Sequence, residues 1–451
     1  MKAELEKIHR GLCNEAIPNG WRVVLLKELS LLKISNGAFN DPKFVGSGYK
    51  LINIVDLYQG PKIRTENLGR LSLSESEYKT FKVLRDDLFF TRSSLKKEGI
   101  AHCNIFLSDE DNVVYECHMM RVRPNPELVD PKYLQEFCLA GPAREYFISH
   151  GKTTTMTTID QGSIGGLPVL LPPLPEQKKI AAILTAVDEK LDVIARQIEA
   201  TQTLRRGLMQ TLFSKGMGTQ DANGNWIPHT EFQDSELGEI PEAWEIVPLG
   251  GLIQKLMDFR GRTPKKLGMA WGGGDIPALS ANNVRMGYID FDRECYLGSN
   301  ELYSAWMVHG DTKQNDLVFT MEAPLGNVAV IPDDRKYILS QRVILLRPTD
   351  RVSHSYLFQY LRSDAFAKTL DVNATGTTAK GIQQKRLVQL PVVLPSLEEQ
   401  GRIADVLGIL DAKLDTLSAK RAHYSTLKRG LMQKLLTGAW RVKLDSPSGT
   451  A

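Results

Sequence analysis

The chain repeats itself once, at a distance of 223 residues. Without a gap, 171–213 aligns with 394–436, and 20 of these 43 positions are identical. "LPPLPEQKKIAAILTAVDEKLD" lies over "LPSLEEQGRIADVLGILDAKLD", and "GLMQ" recurs at 207–210 and 430–433. The same offset places Ile17, Pro18 and Trp21 over Ile240, Pro241 and Trp244, and "LPVLLP" (167–172) over "LPVVLP" (390–395). A looser echo sets "DDLFFTR" at 86–92 against "NDLVFTM" at 315–321. A period this long excludes a solenoid and implies a duplicated domain, each copy running from a variable block into a similar helix. A length of 451 residues agrees, being more than one core normally organises.

The variable blocks, about 17–170 and 240–393, carry short β-rich runs such as "YKLINIV", "VVYECHMMRV" and "KYILSQRVILLRP", punctuated by Gly, Asn, Asp and Pro. Each also holds one helical stretch, "DPKYLQEFCLAGPAREYFI" and "HSYLFQYLRSDAFAKTL". Two mixed α/β domains are expected, with loops that differ almost everywhere between shared anchors.

The repeated segments read as long helices. Pro175 and Glu176 suit a first turn, and Ser396 with Glu399 has the spacing of a capping box. Ile180, Leu184, Val187, Leu191, Ile194 and Ile198 step by 4, 3, 4, 3, 4, and Ile403, Leu407, Leu410, Leu414 and Leu417 follow the same pattern. That is a coiled-coil seam. The pattern breaks near Ile198 and Arg421 and resumes as Leu204 and Leu208, and as Leu427 and Leu431. Arg205, Arg206, Lys428 and Arg429 stand where cations complement a helix dipole. The second block feeds straight into the start of the second helix, which places that start near the end of the first and makes the pair antiparallel. The expected fold is α+β: two mixed α/β domains separated by an antiparallel coiled coil, with an internal pseudo-two-fold repeat. The boundaries read as 1–170, a helix at 171–216, a linker at 217–239, a second domain at 240–393, a helix at 394–438 and a tail at 439–451.

Several functional classes lack their residues. The five cysteines form no CxxC pair, which argues for a reducing compartment rather than disulfides or a thiolate metal site. No 18-residue apolar run occurs, and the first 20 residues carry no signal-peptide core, so a soluble cytoplasmic protein is expected with no membrane association. "HGKTTTM" lacks the first glycine of a phosphate-binding loop. "FVGSG" at 44–48 resembles a methyltransferase glycine motif, yet no flanking strand and helix and no D/N-P-P-Y/F tetrapeptide accompany it. "PDDRK" at 332–336 compresses a nuclease-like acidic pattern into one turn. The eight histidines show no metal-ligand spacing, and GxSxG is absent. No catalytic or metal-ligating residue is expected, and none of S-adenosylmethionine, ATP or Mg is expected on this chain.

Two different domains on a fixed spacer suit a long regular ligand with two recognition points, and duplex DNA has that form. The net charge of +3 permits this without requiring it. The candidate contacts in the first block are Arg92, Ser93, Lys96 and Lys97 in "FFTRSSLKKEG", with Lys152 and Thr154 in "HGKTTTMTT". In the second they are Arg260, Arg262, Lys265 and Lys266 in "FRGRTPKK", with Thr377 and Lys380 in "TGTTAKG". Cations of this kind neutralise phosphates, while Arg, Ser and Thr on loops can read base edges. The same runs can equally be solvated loops, and the threonine runs can serve to close each domain onto its helix. Two other readings stand beside DNA recognition: a stand-alone methyltransferase using "FVGSG", and a structural adaptor whose helices join two protein partners.

The doubled "LPPLPEQKKIAAIL…DEKLD…LRRGLMQTL" and "LPSLEEQGRIADVL…DAKLD…LKRGLMQKLL", with blocks opening "IPNGW" and "IPEAW", resemble the specificity subunits of Type I restriction-modification systems. The resemblance covers nearly the whole chain. It implies two target recognition domains that each read half of a split DNA site, and paired helices that set the gap and dock two modification subunits. It also implies that S-adenosylmethionine, ATP and Mg belong to those modification subunits and to restriction subunits. Because the two variable blocks differ, the implied target is asymmetric.

Overall fold

The computed structural model describes residues 17–221, 223–376 and 379–444. They form two compact units, one of residues 17–198 with 417–444, the other of 199–416. Each unit holds one variable domain, the beginning of one long helix and the end of the other. The helices span Leu174–Leu212 and Leu397–Leu435, 39 residues each and 223 apart at both ends.

The two domains share one topology. In the first unit a four-stranded antiparallel sheet runs in the order Ser35–Asn36, Met119–Val122, Leu88–Thr91, Cys103–Ile105. A second sheet places Val45–Ile52 between Gly69–Leu71 and the parallel strand Val113–Tyr115. The second unit repeats this with Ile253–Asp258, Val343–Pro348, Leu317–Met321 and Leu325–Val330, and with Ile276–Leu279 between Tyr296–Gly298 and the parallel strand Ile338–Leu339. The central strands Leu88–Thr91 and Leu317–Met321 are buried throughout, as their runs of apolar and β-branched residues require. A two-stranded ribbon closes each domain, Arg22–Leu25 on Pro168–Leu171 and Glu245–Pro248 on Pro391–Leu394, and its second strand leads directly into a long helix.

The helical stretch expected in each variable block is two helices. Pro131–Leu139 and Gly141–His150 are separated by an extended Ala140, because the ring of Pro142 would clash with the carbonyl of Cys138 in a continuous helix. His354–Leu361 and Asp364–Asn373 are separated where Ser363 turns extended and its hydroxyl caps the Phe366 N–H at 3.1 Å.

The Glu-Gln pair that opens each long helix accounts for the identity of the two copies there. Trp21 Nε1 donates to Glu176 at 3.0 Å, and Trp244 Nε1 donates to Glu399 at 2.9 Å. Gln177 accepts from the Asp130 N–H and Gln400 from the Ser353 N–H, both at 2.8 Å, while their amides donate to the carbonyls of Pro172 and Pro395. Tyr133 and Tyr356 donate to the carbonyls of Leu170 and Val393. Each set joins a domain's first strand, its last strand, its helical pair and its long helix. Ser396 caps the Glu399 N–H at 3.3 Å, but the expected reciprocal half of the capping box gives way, because the Glu399 carboxylate is committed elsewhere. It accepts from the N–H groups of Met217 and Gly218 at 2.7 and 3.0 Å and lies 3.1 Å from His229 Nε2. Arg441 plays the corresponding part in the first unit, donating to Glu176 at 2.7 and 2.9 Å over the face of Trp21. The chain leaving each long helix passes so close that Gly216 and Gly438, at φ +70 and +77, leave no room for a Cβ: it would meet Glu399 and Pro18 at 2.4 and 2.3 Å.

Within each unit the beginning of one long helix lies with the end of the other, so the helices run antiparallel. Ile180 and Leu184 share the first domain's buried core with Leu435 and Leu436, and Ile403 and Leu407 share the second's with Met209 and Leu212. Val187, Ile194, Leu410 and Leu417 are buried, while Leu191 and Leu414 are half-buried. The expected resumption of the seam at Leu204 and Leu427 does not occur: they are 53% and 41% exposed. The apolar stripe moves to Leu208, Met209 and Leu212, and to Leu431, Met432 and Leu435, because these face a domain core rather than only a helix. Arg205 and Lys428 do more than complement a dipole. Lys428 Nζ lies 2.7 Å from Asp188 and 3.0 Å from Glu136 in the first unit. In the second, Arg205 donates to Asp411 at 2.6 Å, beside Gln359 and Arg362.

Glu399→Ala should strip the partners from three buried or half-buried N–H donors and from His229, lowering the second unit's stability by about 3 kcal/mol or more. Hydrogen exchange across 217–229 should rise in step, and unchanged protection there would show that the carboxylate is dispensable. Burial opposes ionisation of Asp411, yet Arg362, Gln359 and Arg205 hold its carboxyl below the usual aspartate range. The stability it contributes is therefore present above the unfolded-chain value and lost as pH falls through the depressed one. Asp411→Asn should lower the unfolding temperature at neutral pH and flatten its fall in acid, whereas parallel curves would deny the coupling.

Candidate nucleic-acid interface

Four separate segments meet at the end of each domain's central strand. In the first unit, Ser93–Ser94 pairs with Thr157–Thr158, which pairs with Lys152–Thr153, so one small sheet gathers both candidate loops. Arg92, Lys96, Lys97, Lys152 and Thr154 are all exposed on it, apart from a half-buried Ser93. The Arg92 backbone is held on both sides, its N–H donating to the His118 carbonyl at 2.9 Å and its carbonyl accepting from Ile159 at 3.0 Å. A cleft of about 490 Å³ opens beside it, lined among others by Asn36, Arg92, Lys152, Thr158, Asp160 and Gln161. Gln161 donates to Asn36 at 3.3 Å across this cleft. Asp160 caps the helix Gln161–Gly165 through the Ser163 N–H, which holds its carboxyl below the ordinary range, and lies 3.7 Å from Lys152.

The second unit builds the same corner. The Met321 N–H donates to the Arg342 carbonyl at 2.8 Å, and the Met321 carbonyl accepts from Ile382 at 3.0 Å. Gly381 bridges both Glu322 and Thr375, and the short helix Gln384–Leu387 follows. Met321 thus stands where Arg92 stands in the first unit, Glu322 where Ser93 stands, Arg342 where His118 stands and Gln384 where Gln161 stands.

The basic candidates of the second domain divide. Arg260 is committed to Asp258, 2.6 Å away, which raises its pKa, with a smaller push from Glu322. Arg262 donates to the carbonyls of Trp306 and Ala305 at 2.7 and 3.3 Å and lies over the Phe259 ring, so it caps the helix Asn300–Trp306. Lys265 and Lys266 sit exposed on the turn Pro264–Leu267, with Lys266 donating to the Gly261 carbonyl. Lys380 is exposed and pairs with Asp371, while Thr377 lies outside the described residues. The basic loops of the two domains therefore come from different segments of the shared topology, 92–97 in one and 260–266 in the other.

Asn36, His118, Gln161, Glu322, Arg342 and Gln384 also belong to these corners, and no motif in the sequence marks them. The alignment of "DDLFFTR" on "NDLVFTM" carries the signal for two corner positions, since one step further it sets Glu322 against Ser93. The strings that imitate catalytic motifs have structural uses. "FVGSG" enters the strand Val45–Ile52 at a bulge where Val45 and Tyr49 both face Leu71, and a Cβ on Gly48 would lie 2.6 Å from the Leu71 carbonyl oxygen. In "PDDRK", Asp333 accepts from Arg335 and Tyr337 within a turn. Among the described residues no group of three or more His, Cys, Asp or Glu side chains is placed to hold a metal ion, and no helix is long and apolar enough to cross a membrane.

Arg262→Ala should cost stability, by about 1–3 kcal/mol, and leave the salt dependence of DNA binding unchanged. Lys265→Ala and Lys266→Ala should do the reverse, each lowering the log–log salt slope by about 0.9 because one phosphate is no longer neutralised. Salt titrations of duplex binding, read alongside thermal unfolding, separate the two.

The family model of the Type I restriction modification DNA specificity domain matches residues 18–202 and again 241–423. A protein of Methanocaldococcus jannaschii, provisionally named the MjaX type I restriction enzyme specificity subunit, is 26% identical over 430 residues, covering 95% of each chain. The MjaVIII specificity subunit of the same organism is 28% identical over 333 residues, 72% of this chain and 74% of its own. The fold is shared with the crystal structure of the Type I restriction-modification S subunit from M. genitalium, at a TM-score of 0.58, 14% identity and coverage of 93% and 98%. With the specificity domain matched in both copies and across most of its length, this chain belongs to the Type I restriction-modification DNA specificity family, as a specificity subunit.

Proposed function

We propose that each domain reads one half of an asymmetric, split DNA site, and that the antiparallel helices set the gap between the halves and dock two modification subunits. The observation that carries this reading is the pair of corners described above, one backbone arrangement filled with Asn36, Arg92, His118 and Gln161 in one domain and with Glu322, Arg342, Lys380 and Gln384 in the other. A constant scaffold with differing exposed polar residues suits two different half-sites, since base edges are distinguished by donor and acceptor pattern. The Trp–Glu, Gln and Tyr hydrogen bonds that seat each domain on its long helix are equivalent in both units, so a domain can change its loops without losing its seat.

The chain supplies recognition and no chemistry of its own. Methyl transfer to adenine is assigned to the modification subunits with S-adenosylmethionine, and ATP-driven translocation and cleavage to restriction subunits with Mg. A base inside a duplex must leave the stack before it is methylated, and that step is assigned with the methyl transfer to the modification subunits. The assembly works where the host DNA is, in the cytoplasm.

Mapping N6-methyladenine across host DNA, with and without this gene beside its modification subunit, tests the proposal. One split motif that depends on the gene is expected, and exchanging residues 17–170 should change one half only. A stable complex with an active modification subunit but no gene-dependent methylation would favour the structural adaptor instead.

A further inference from the structure

The corner at the end of the central strand differs between the domains in one respect that bears on what it recognises. In the second domain Arg342 Nε lies 3.3 Å from Glu322 Oε1, and both side chains are 50% exposed. Their backbones are fixed by the Met321 N–H on the Arg342 carbonyl and by the bridge between Glu322 and Gly381. Arg342 is held at φ +67, in the left-handed region that a residue with a Cβ rarely adopts. Strain of this kind persists where the surroundings impose it and collects at working sites.

An exposed ion pair contributes little to stability. A carboxylate here also opposes phosphate binding, beside an Arg260 already engaged by Asp258 and a Lys380 paired with Asp371. What the pair does present is one acceptor beside a planar fork of donors. That is the complement of a G·C pair in the major groove, where guanine offers O6 and N7 as acceptors and cytosine its N4–H as a donor. We infer that Glu322 and Arg342 together read a G·C base pair in the half-site of the second domain, Arg342 donating to guanine O6 and N7 and Glu322 accepting from cytosine N4. The inference rests on the reading of each domain as a half-site reader. At these two positions the first domain has Ser93 and His118, and the carboxylate lining its cleft, Asp160, caps the helix Gln161–Gly165 beside Lys152, so the same base pair is not required there.

The test uses the full chain assembled with its modification subunits. Competition binding with duplexes changed one base pair at a time, together with the methylation map, gives the preference at every position. Exchange of 240–393 identifies the half-site that belongs to the second domain. The wild-type complex should prefer G·C at one position of that half by roughly 10–100-fold. Glu322→Leu and Arg342→Met, which remove the acceptor and the donors, should each reduce that preference to within a few-fold and leave all other positions unchanged. Thermal unfolding checks that each variant folds, and Glu322→Gln, which keeps an acceptor oxygen at the same reach, should retain more of the preference than Glu322→Leu. A uniform loss of affinity with an unchanged motif would overturn the inference, as would a second half-site with no G·C pair. In both of those outcomes the half-site reading survives, whereas an assembled wild-type complex that methylates no gene-dependent motif removes that reading and this inference together.

Discussion

A buried glutamate at the start of each long helix holds the rest of the molecule in place. Glu176 and Glu399 are each almost fully buried, and each accepts from the indole of a tryptophan 155 residues earlier. A buried carboxylate is tolerated only when its oxygens are occupied. Arg441 meets that demand in the first unit, and the Met217 and Gly218 amides with His229 meet it in the second. The chain leaving one helix is thereby tied to the opening of the other, and the requirement to satisfy one charge links four separate stretches of sequence.

The same economy explains which residues the two copies share. Identity concentrates where a side chain completes a junction: Trp21 and Trp244, Glu176 and Glu399, Gln177 and Gln400, Tyr133 and Tyr356, Asp188 and Asp411. Lys428 and Arg205 differ in type but both reach across to an aspartate of the other helix. In the variable domains, away from the junctions, the shared sheet topology and the backbone arrangement of the corner are retained while many side chains differ. The corner's exposed side chains, such as Arg92 and Arg342, are free to vary because they lie outside the core, and that freedom is what a recognition surface on a constant frame needs.

Basic residues in a loop are a poor guide to which of them meets a polyanion. Arg260 and Arg262 read from the sequence as equals of Lys265 and Lys266, yet the two arginines are engaged by Asp258 and by the carbonyls that end a helix. The planar guanidinium serves such internal positions well, whereas the ammonium groups of Lys265 and Lys266 sit on an exposed turn. Glu322 shows the converse: an acidic residue that charge counting passes over stands at the centre of the second domain's corner.

The duplication, the two long helices with their antiparallel sense, the β-rich domains and the family were all legible in the sequence, because they rest on periodicity and on local patterns repeated at a fixed offset. The start of each apolar stripe was legible for the same reason. Its later course, the partition of the helical stretches and the fate of the capping box were not, since Leu204 and Leu427 lose their seam to residues that face a domain core and Glu399 is drawn away by distant donors. The corners themselves were decided by tertiary structure alone. They join residues such as Asn36 and Gln161, or Glu322 and Arg342, through sheet pairing and side-chain contacts between segments far apart in the chain, and no local pattern records which strands will meet.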